Sequence, residues 1–147
     1  MLEIQALAGP ASGQPRRVAS GVQPRRLALL LAVLARRARI KTAELDVFVS
    51  AVGGVAVREP AADLAICFAL ASSLRDVPVP ATLVVMGEVG LGGEVRSVPS
   101  TRRRLKEAAR LGFTHAIVPV SSEVPDDGPT PLRVADIKAA VGLLHEL

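Results

Sequence analysis

The sequence predicts a single compact domain of the α/β or α+β class, and three observations support this. Segments that alternate apolar and polar residues, as strands do, are interspersed with segments whose apolar residues recur at helical spacing. The chain has 147 residues, about the length of one domain, and half of it is apolar, which argues against disorder. No internal repeat or low-complexity tract divides the sequence. We therefore expect one domain over residues 1–147.

The first third of the chain is predicted to form two strands and a helix. Residues 2–7 alternate apolar and polar side chains, and a loop rich in glycine and proline separates them from a second strand over residues 16–22. Pro24 suits the first turn of a helix, where its missing N–H costs nothing. The helix then has an apolar stripe at positions i, i+3, i+4 and i+7, formed by Leu27, Leu30, Leu31 and Leu34.

The middle of the chain is predicted to form a strand, a turn and a buried helix. Residues 46–52 form the strand, Gly53 and Gly54 the turn, and residues 55–58 a returning strand. The helix over residues 61–74 is apolar almost all round, so we expect it at the centre of the fold.

The last part of the chain is predicted to begin with a hairpin. A core strand over residues 82–89 turns at residues 90–93 into a partner over 94–98. Ser100 or Thr101 is expected to cap a helix that ends near residue 111, with Gly112 as its stop. The remaining predictions are a strand over residues 114–119, a polar loop over 125–131 and a closing helix over 135–147.

Charge is segregated along the chain, although the formal net charge is only +4. Residues 1–41 carry a net charge of +7 and residues 102–110 carry +4, whereas 42–101 carry −4 and 111–147 carry −3. Segregation of this kind indicates a basic face for a polyanion. The alternative is that arginines simply solvate the exposed faces of helices.

Composition argues against several other classes of protein. The longest apolar stretches are two to three helical turns, far short of the roughly 20 residues that span a bilayer, and the charged and polar residues at the start lead us to expect no signal peptide. A single cysteine, Cys67, excludes an internal disulfide, so we expect a cytoplasmic protein in which Cys67 fills the core. No P-loop motif and no zinc spacing occur, and we expect no cofactor and no metal site in this chain.

Ionisable side chains offer few catalytic constellations. His115 and His145 are expected to be structural or surface residues. Four carboxylates lie near the predicted turns: Glu59, Asp63, Glu88 and Glu94. Carboxylates at such positions more often belong to strand ends and helix caps than to acid–base or metal sites.

Residues 53–63, followed by an apolar helix, have the layout of a protease active-site strand and helix start. A serine after Pro60, at the start of the helix, could be activated as a nucleophile there. The residue at that position is Ala61, which has no heteroatom.

Three ordered segments carry a resemblance that covers nearly the whole chain: GGVAVREPAADLAICFALASSL, GEVGLGGEVRSVP and RRRLKEAARLGFTHAIVP. They resemble the C-terminal Lon-protease-like domain of bacterial RadA (Sms) DNA repair proteins. The resemblance implies a Lon proteolytic-domain-like fold, similar to ribosomal protein S5 domain 2. In that family the domain follows a zinc motif and a RecA-like ATPase, which have no counterpart in these residues. The resemblance also implies a hexameric ring in which the domain helps to hold ATPase subunits together beside DNA.

A more distant similarity to Lon itself implies that this chain is not an enzyme. Ala61 takes the place of the Lon serine, and Arg102 takes the place of the Lon lysine. A Ser–Lys dyad needs an amine that can lose its proton, whereas arginine stays charged. Ser97, Ser100 and Lys106 could be proposed as relocated partners, but each has an ordinary role in a hairpin, a cap or a helix surface.

Binding is therefore the expected role, with DNA as the partner. Guanidinium groups pair well with phosphates, and the near absence of aromatic residues, with three Phe and no Trp or Tyr, favours duplex or branched DNA over base stacking on single strands. The candidate DNA-binding residues are Arg16, Arg17, Arg25, Arg26, Arg36, Arg37, Arg102, Arg103 and Arg104.

Three hypotheses remain open about the binding role of this chain. The cluster of Arg16, Arg17, Arg25 and Arg26 is expected to matter most for DNA, because almost no acid lies near it in sequence; residues 102–104 would instead face a neighbouring subunit or the vacant dyad cleft. The competing class is a pure assembly scaffold, in which arginines bind acidic residues of other subunits, such as Glu123, Asp126 and Asp127. A peptide or small-molecule site in the cleft is a third possibility.

Overall fold

Strands and helices alternate along the chain in a computed structural model that describes residues 2–53 and 59–147. The first half contains β1 (Glu3–Pro10), β2 (Arg17–Ser20), α1 (Pro24–Arg37), β3 (Leu45–Val52), a 3-10 turn (Pro60–Ala62) and α2 (Asp63–Arg75). The second half contains β4 (Leu83–Val85), β5 (Glu88–Val89), β6 (Val95–Arg96), α3 (Thr101–Arg110), β7 (His115–Pro119), β8 (Thr130–Val134), α4 (Ile137–Gly142) and a second 3-10 turn (Leu143–His145).

The described strands form three small sheets. The first has the order β1-β3-β2, with β1 antiparallel and β2 parallel to β3. The second has the order β4-β7-β8 and is parallel throughout, and the third is the antiparallel pair β5-β6. A mixed α/β domain is therefore confirmed.

Two helices form the centre of the core; the sequence predicts a buried stripe for the first and a central position for the second. Helix α1 begins at Pro24 and buries the predicted stripe, with Leu30 and Leu34 completely enclosed. Helix α2 buries side chains around most of its circumference and packs against β1, α1 and α4. A second, smaller apolar cluster lies between the start of α2 and α3.

The predicted core strand over residues 82–89 is wrong, because the chain leaves the parallel sheet at Met86 and Gly87. The Gly87 N–H donates to the Ala61 carbonyl at 3.0 Å, and the Leu64 N–H donates to the Gly87 carbonyl at 3.1 Å. These bonds tie the backbone to the start of α2. A Cβ at residue 87 would lie 2.8 Å from Val95 Cγ1, so glycine is needed for this close approach.

The end of the chain also differs from its prediction. The loop over residues 125–131 ends in β8, which pairs with β7, and the closing helix is only α4 and a 3-10 turn. Helix α4 begins after Asp136, whose carboxylate accepts from the Ala139 N–H at 2.8 Å. Asp136 suits an N-cap better than a helix interior, and this signal marks the true start.

Three smaller predictions have different outcomes. Helix α3 starts after Ser100, as predicted. Ser100 has a φ of +60°, and its side chain makes no capping bond. Thr101 Oγ1 donates to the Val98 carbonyl. Gly112 has a φ of +95° and ends the helix as predicted. The returning strand over residues 55–58 lies outside the described residues.

Candidate nucleic-acid interface

Helix α1 presents one exposed stripe with an arginine at each end. Arg25, Ala28, Ala32 and Arg36 are all exposed, and they are spaced at three, four and four residues. At 100° per residue, Arg25 and Arg36 differ by only about 20° around the helix, and they lie about 16 Å apart along its axis. We call these four residues the α1 stripe. Its two small alanines allow an extended polyanion to approach the helix closely.

A shallow groove runs beside the α1 stripe, between α1 and strand β2. It has a volume of about 270 Å³, and its lining includes Ala28, Ala32 and Arg17. The Arg17 guanidinium donates to the carbonyls of Leu45 and Thr42, which fixes its position at the groove. The close ion pairs found among the described residues do not include Arg17, although its charge helps to lower the pKa of Asp46. Arg17 is therefore the cationic side chain that lines the groove, and Arg25 and Arg36 lie at the two ends of the neighbouring α1 stripe.

The other two arginines of the first predicted cluster lie in ion pairs. Arg16 pairs with Asp46 at 3.1 Å and stays 67% exposed, and its hydrogen bonds to Asp46 hold the pKa of that carboxyl below its ordinary value. Arg26 forms a two-pronged pair with Asp63, and this bond raises the pKa of Arg26. Asp46 and Asp63 are more than 25 residues away in sequence from the arginines that they pair with. The lack of acids close in sequence to Arg16 and Arg26 therefore did not mean that these arginines are unpaired in the fold.

Asp63 is the residue of this region whose role the sequence did not reveal. It is 2% exposed, and it accepts bonds from both Arg26 and the Val89 N–H, the latter at 3.0 Å. It thereby joins the starts of α1 and α2 to strand β5. A carboxylate beside a long apolar helix could have signalled a buried pair, because such groups are rarely enclosed without a partner.

The remaining candidate arginines lie at the end of α1 and on α3. Arg37 is exposed and donates to the Leu91 carbonyl at 3.3 Å. Arg102 and Arg103 are exposed in the first turn of α3. Arg104 is turned inward and pairs with Glu59 at 2.7 Å, just before the start of the α2 segment. Of the three candidate arginines on α3, Arg104 is therefore the one that lies toward the segment before Ala61.

Ala61 lies in a packed apolar environment. It is 8% exposed, and its cluster is formed by Met86, Val98, Leu105, Ala116 and Val118. No atom of this side chain can act as a nucleophile, and the exposed guanidinium of Arg102 does not replace the amine that a Ser–Lys dyad needs. The alternative hydroxyls are ordinary in geometry: Ser97 Oγ contacts Ser121 Oγ, and Ser100 is exposed on its turn.

Other chemical groups in the described residues offer little. Cys67 is completely buried, and burial raises the pKa of its thiol far above the ordinary value. Residues 2–53 and 59–147 contain no group of three or more His, Cys, Asp and Glu side chains placed to hold a metal ion. In the same ranges, no helix is both long and apolar enough to cross a membrane.

The fold and its basic helices thus define a mixed α/β domain with an arginine-bordered groove. The family model described as subunit ChlI of Mg-chelatase matches residues 51–122. DNA repair protein RadA of Escherichia coli K12 is 51% identical over 139 residues, which are 94% of this chain and 30% of that protein. RadA of Mycobacterium tuberculosis H37Rv is 48% identical over 99% of this chain and 30% of its own length, and RadA of Aquifex aeolicus is 48% identical over 98% and 33%.

The resemblance to RadA proteins is therefore confirmed, and this chain is homologous to one segment of them along nearly all of its residues. It spans about a third of the length of those curated relatives.

Proposed function

We propose that this chain is the non-catalytic, Lon-like domain of a RadA-type DNA repair and recombination ATPase, located in the cytoplasm. In this proposal it has two roles: it is a scaffold for a hexameric ring, and it binds duplex or branched DNA without sequence preference. The homology to proteins named for DNA repair supports the repair role. The replacement of the expected dyad by Ala61 and Arg102 supports the absence of peptidase activity.

The observation that carries the DNA-binding role is the α1 stripe with the neighbouring Arg17. Two exposed arginines at the ends of one helix face, separated by alanines, are both available to contact a phosphate backbone. Apart from Arg17 and Thr42, the groove is lined by aliphatic side chains, so its lining offers no aromatic platform for bases. The ring would add affinity, because several weak patches would act on one duplex at a high effective concentration.

The experiment is fluorescence anisotropy of a labelled duplex titrated with this chain across salt concentrations. We expect log K to fall linearly with log salt, with a slope of about −0.9 for each phosphate that is neutralised. The double variant Arg25→Glu/Arg36→Glu should abolish measurable binding. Arg26 is not a suitable position for this test, because its reversal would place a second carboxylate against the buried Asp63.

The matched control is Lys138→Glu/Arg75→Glu, which changes the net charge by the same amount. Lys138 lies in the first turn of α4 as Arg25 does in α1, and Arg75 and Arg36 both lie in the last turn of their helices. Effects of the helix dipole are thus matched. Equal loss of affinity in the two double variants would contradict a specific interface on α1.

The alternative, a scaffold that does not contact DNA, is favoured by one observation. Glu123, Asp126 and Asp127 are exposed, and the ion pairs found among the described residues do not include them. They could pair with arginines of another subunit. Addition of duplex at fixed salt, while the assembly size is followed by light scattering, separates the two functions. Reversal of Asp126 and Asp127 to lysine would dissociate the scaffold without lowering the DNA affinity of each subunit.

A further inference from the structure

The chain turns off the end of helix α1 at Arg39, and it does so in a left-handed backbone conformation. Arg39 has a φ of +56°, whereas the preceding Ala38 has a φ of −112°. The Leu34 carbonyl accepts the N–H of Ala38 and the N–H of Ile40, each at 3.1 Å. The reversal at Arg39 thus brings Ile40 back over the last turn of the helix, where its side chain is buried in the main core.

Glycine is the usual residue at such a helix end, because it has no Cβ and a positive φ costs it nothing. Any other residue in this conformation lowers stability. The other non-glycine residues with a positive φ in the described chain are Asp76 and Ser100, whose short polar side chains can bond to the local backbone. Arg39 has a long side chain without that compensation. Backbone outliers of this kind cluster at functional sites, so the position calls for a functional explanation.

Arg39 belongs to a group of exposed cations at the end of α1. The group, which we call the α1 corner, consists of Arg36, Arg37, Arg39 and Lys41. The ion pairs found in the described part of the chain include none of its members. The next residue, Thr42, lines the groove beside α1, and its carbonyl accepts a hydrogen bond from Arg17. The α1 corner therefore connects one end of the α1 stripe to the cationic part of the groove.

The helix macrodipole explains part of this charge but does not require Arg39. Cations are favourable at the C-terminal end of a helix, and Arg36 and Arg37 already lie in the last turn of α1. The N-terminal end is less basic, since Arg25 is exposed there but Arg26 is bound to Asp63. Exposed positive charge along α1 is therefore concentrated at its C-terminal end.

We propose that Arg39 contacts a phosphate of bound DNA, and that the DNA lies closest to α1 at the C-terminal end of the helix. This inference rests on the proposed DNA-binding function, to which it adds a residue and an orientation. The α1 corner would bind the phosphate backbone, and Arg25 would make a more distant contact at the other end of the α1 stripe. Because two hydrogen bonds to the Leu34 carbonyl fix the turn, the Arg39 side chain extends from an ordered backbone.

The test is the duplex titration described above, repeated with the variant Arg39→Gly. Loss of one phosphate contact should lower the affinity about five- to ten-fold at roughly 0.1 M salt, and it should make the slope of log K against log salt shallower by about 0.9. The same variant should raise the thermal unfolding midpoint by about 3 °C, because glycine adopts the φ of +56° without strain. A variant that merely folded poorly would lose both affinity and stability, so the opposite changes are diagnostic.

Four further variants separate charge, backbone and position. Arg39→Lys keeps the charge and should retain most of the affinity. Ser100→Gly relieves another positive φ, of +60°, and should raise the unfolding midpoint without changing the affinity. Lys138→Ala removes one exposed positive charge from α4 and should lower the affinity less than Arg39→Gly does. Arg25→Ala, at the other end of the α1 stripe, should also cost less affinity than Arg39→Gly.

The inference is overturned if Arg39→Gly binds the duplex as tightly as the parent chain, or if Lys138→Ala loses as much affinity. An equal or larger loss in Arg25→Ala would overturn the orientation along α1. In each of these results the parent chain still binds the duplex, so the proposed function stands. A parent chain that binds no duplex even at low salt would overturn the proposed function and this inference together, and the two failures are therefore distinguishable.

Discussion

Asp63, in the first turn of α2, accepts two hydrogen bonds from the guanidinium of Arg26, in the first turn of α1. The pair holds together the beginnings of the two central helices. Asp63 is almost completely enclosed and also accepts the Val89 N–H. Because the apolar core cannot solvate a carboxylate, Asp63 needs these donors as partners.

Removal of that carboxylate is predicted to destabilise the fold. Asp63→Ala leaves Arg26 and the Val89 N–H without their acceptor. Breaking a buried ion pair costs about 3 kcal/mol or more of unfolding free energy. We expect the lower end of that cost here, because Arg26 is partly exposed. For a domain of this size that loss lowers the unfolding midpoint by about 10 °C. Asp127→Ala, at an exposed aspartate, is the control for thermal denaturation and should change the midpoint little. An unchanged midpoint in Asp63→Ala would contradict this role.

The Arg16–Asp46 pair is predicted to affect how steeply the free energy of unfolding falls at acid pH. The hydrogen bonds from Arg16 lower the pKa of Asp46 in the folded state, so the unfolded state binds the proton more tightly. The pair thus contributes stability above the unfolded pKa, near 4, and loses it as the pH falls through the lower folded value.

Urea denaturation at several pH values between roughly 2 and 6 measures this contribution. In Asp46→Asn the stability should fall less steeply below about pH 4 than in the parent chain. Glu123→Gln, at an exposed carboxylate outside the ion pairs of the described residues, is the control variant. Parallel curves for the parent chain and Asp46→Asn would contradict the assignment.

Cys67 is predicted to be inert in the folded protein. It is fully buried inside α2, and because burial raises the pKa of its thiol, almost no reactive thiolate forms near neutral pH. A chromogenic disulfide reagent should label it only after unfolding in denaturant. Ser72→Cys, at a half-buried position of the same helix, provides a comparison that should react faster. Rapid labelling of the native parent chain would overturn the interpretation of Cys67 as a core residue.

Periodicity in the sequence predicted the elements but not the long-range contacts that place them. The stripe of α1 and the apolar composition of α2 depend on local spacing, and both helices are present with nearly the predicted bounds. The break at Gly87 depends on bonds to Ala61 and Leu64, more than 20 residues away, and no local pattern encodes it. Likewise, the charges of Arg16 and Arg26 are uncompensated in sequence and paired in space. The α1 stripe, in contrast, follows from helical geometry alone once the bounds of α1 are known.

Restoration of the two dyad residues is predicted to give no peptidase. In Ala61→Ser/Arg102→Lys the new hydroxyl enters the apolar cluster of Met86, Val98 and Leu105, and burying it without a partner costs about 1–3 kcal/mol. The new amine lies at an exposed position of α3, where burial does not favour the loss of its proton. A base for the serine is therefore absent even when both residue types are present. Hydrolysis of a fluorogenic casein should stay at the background of the parent chain. Turnover that appears in the double variant and disappears in Ala61→Ser alone would show that the cleft positions the amine as a functional base.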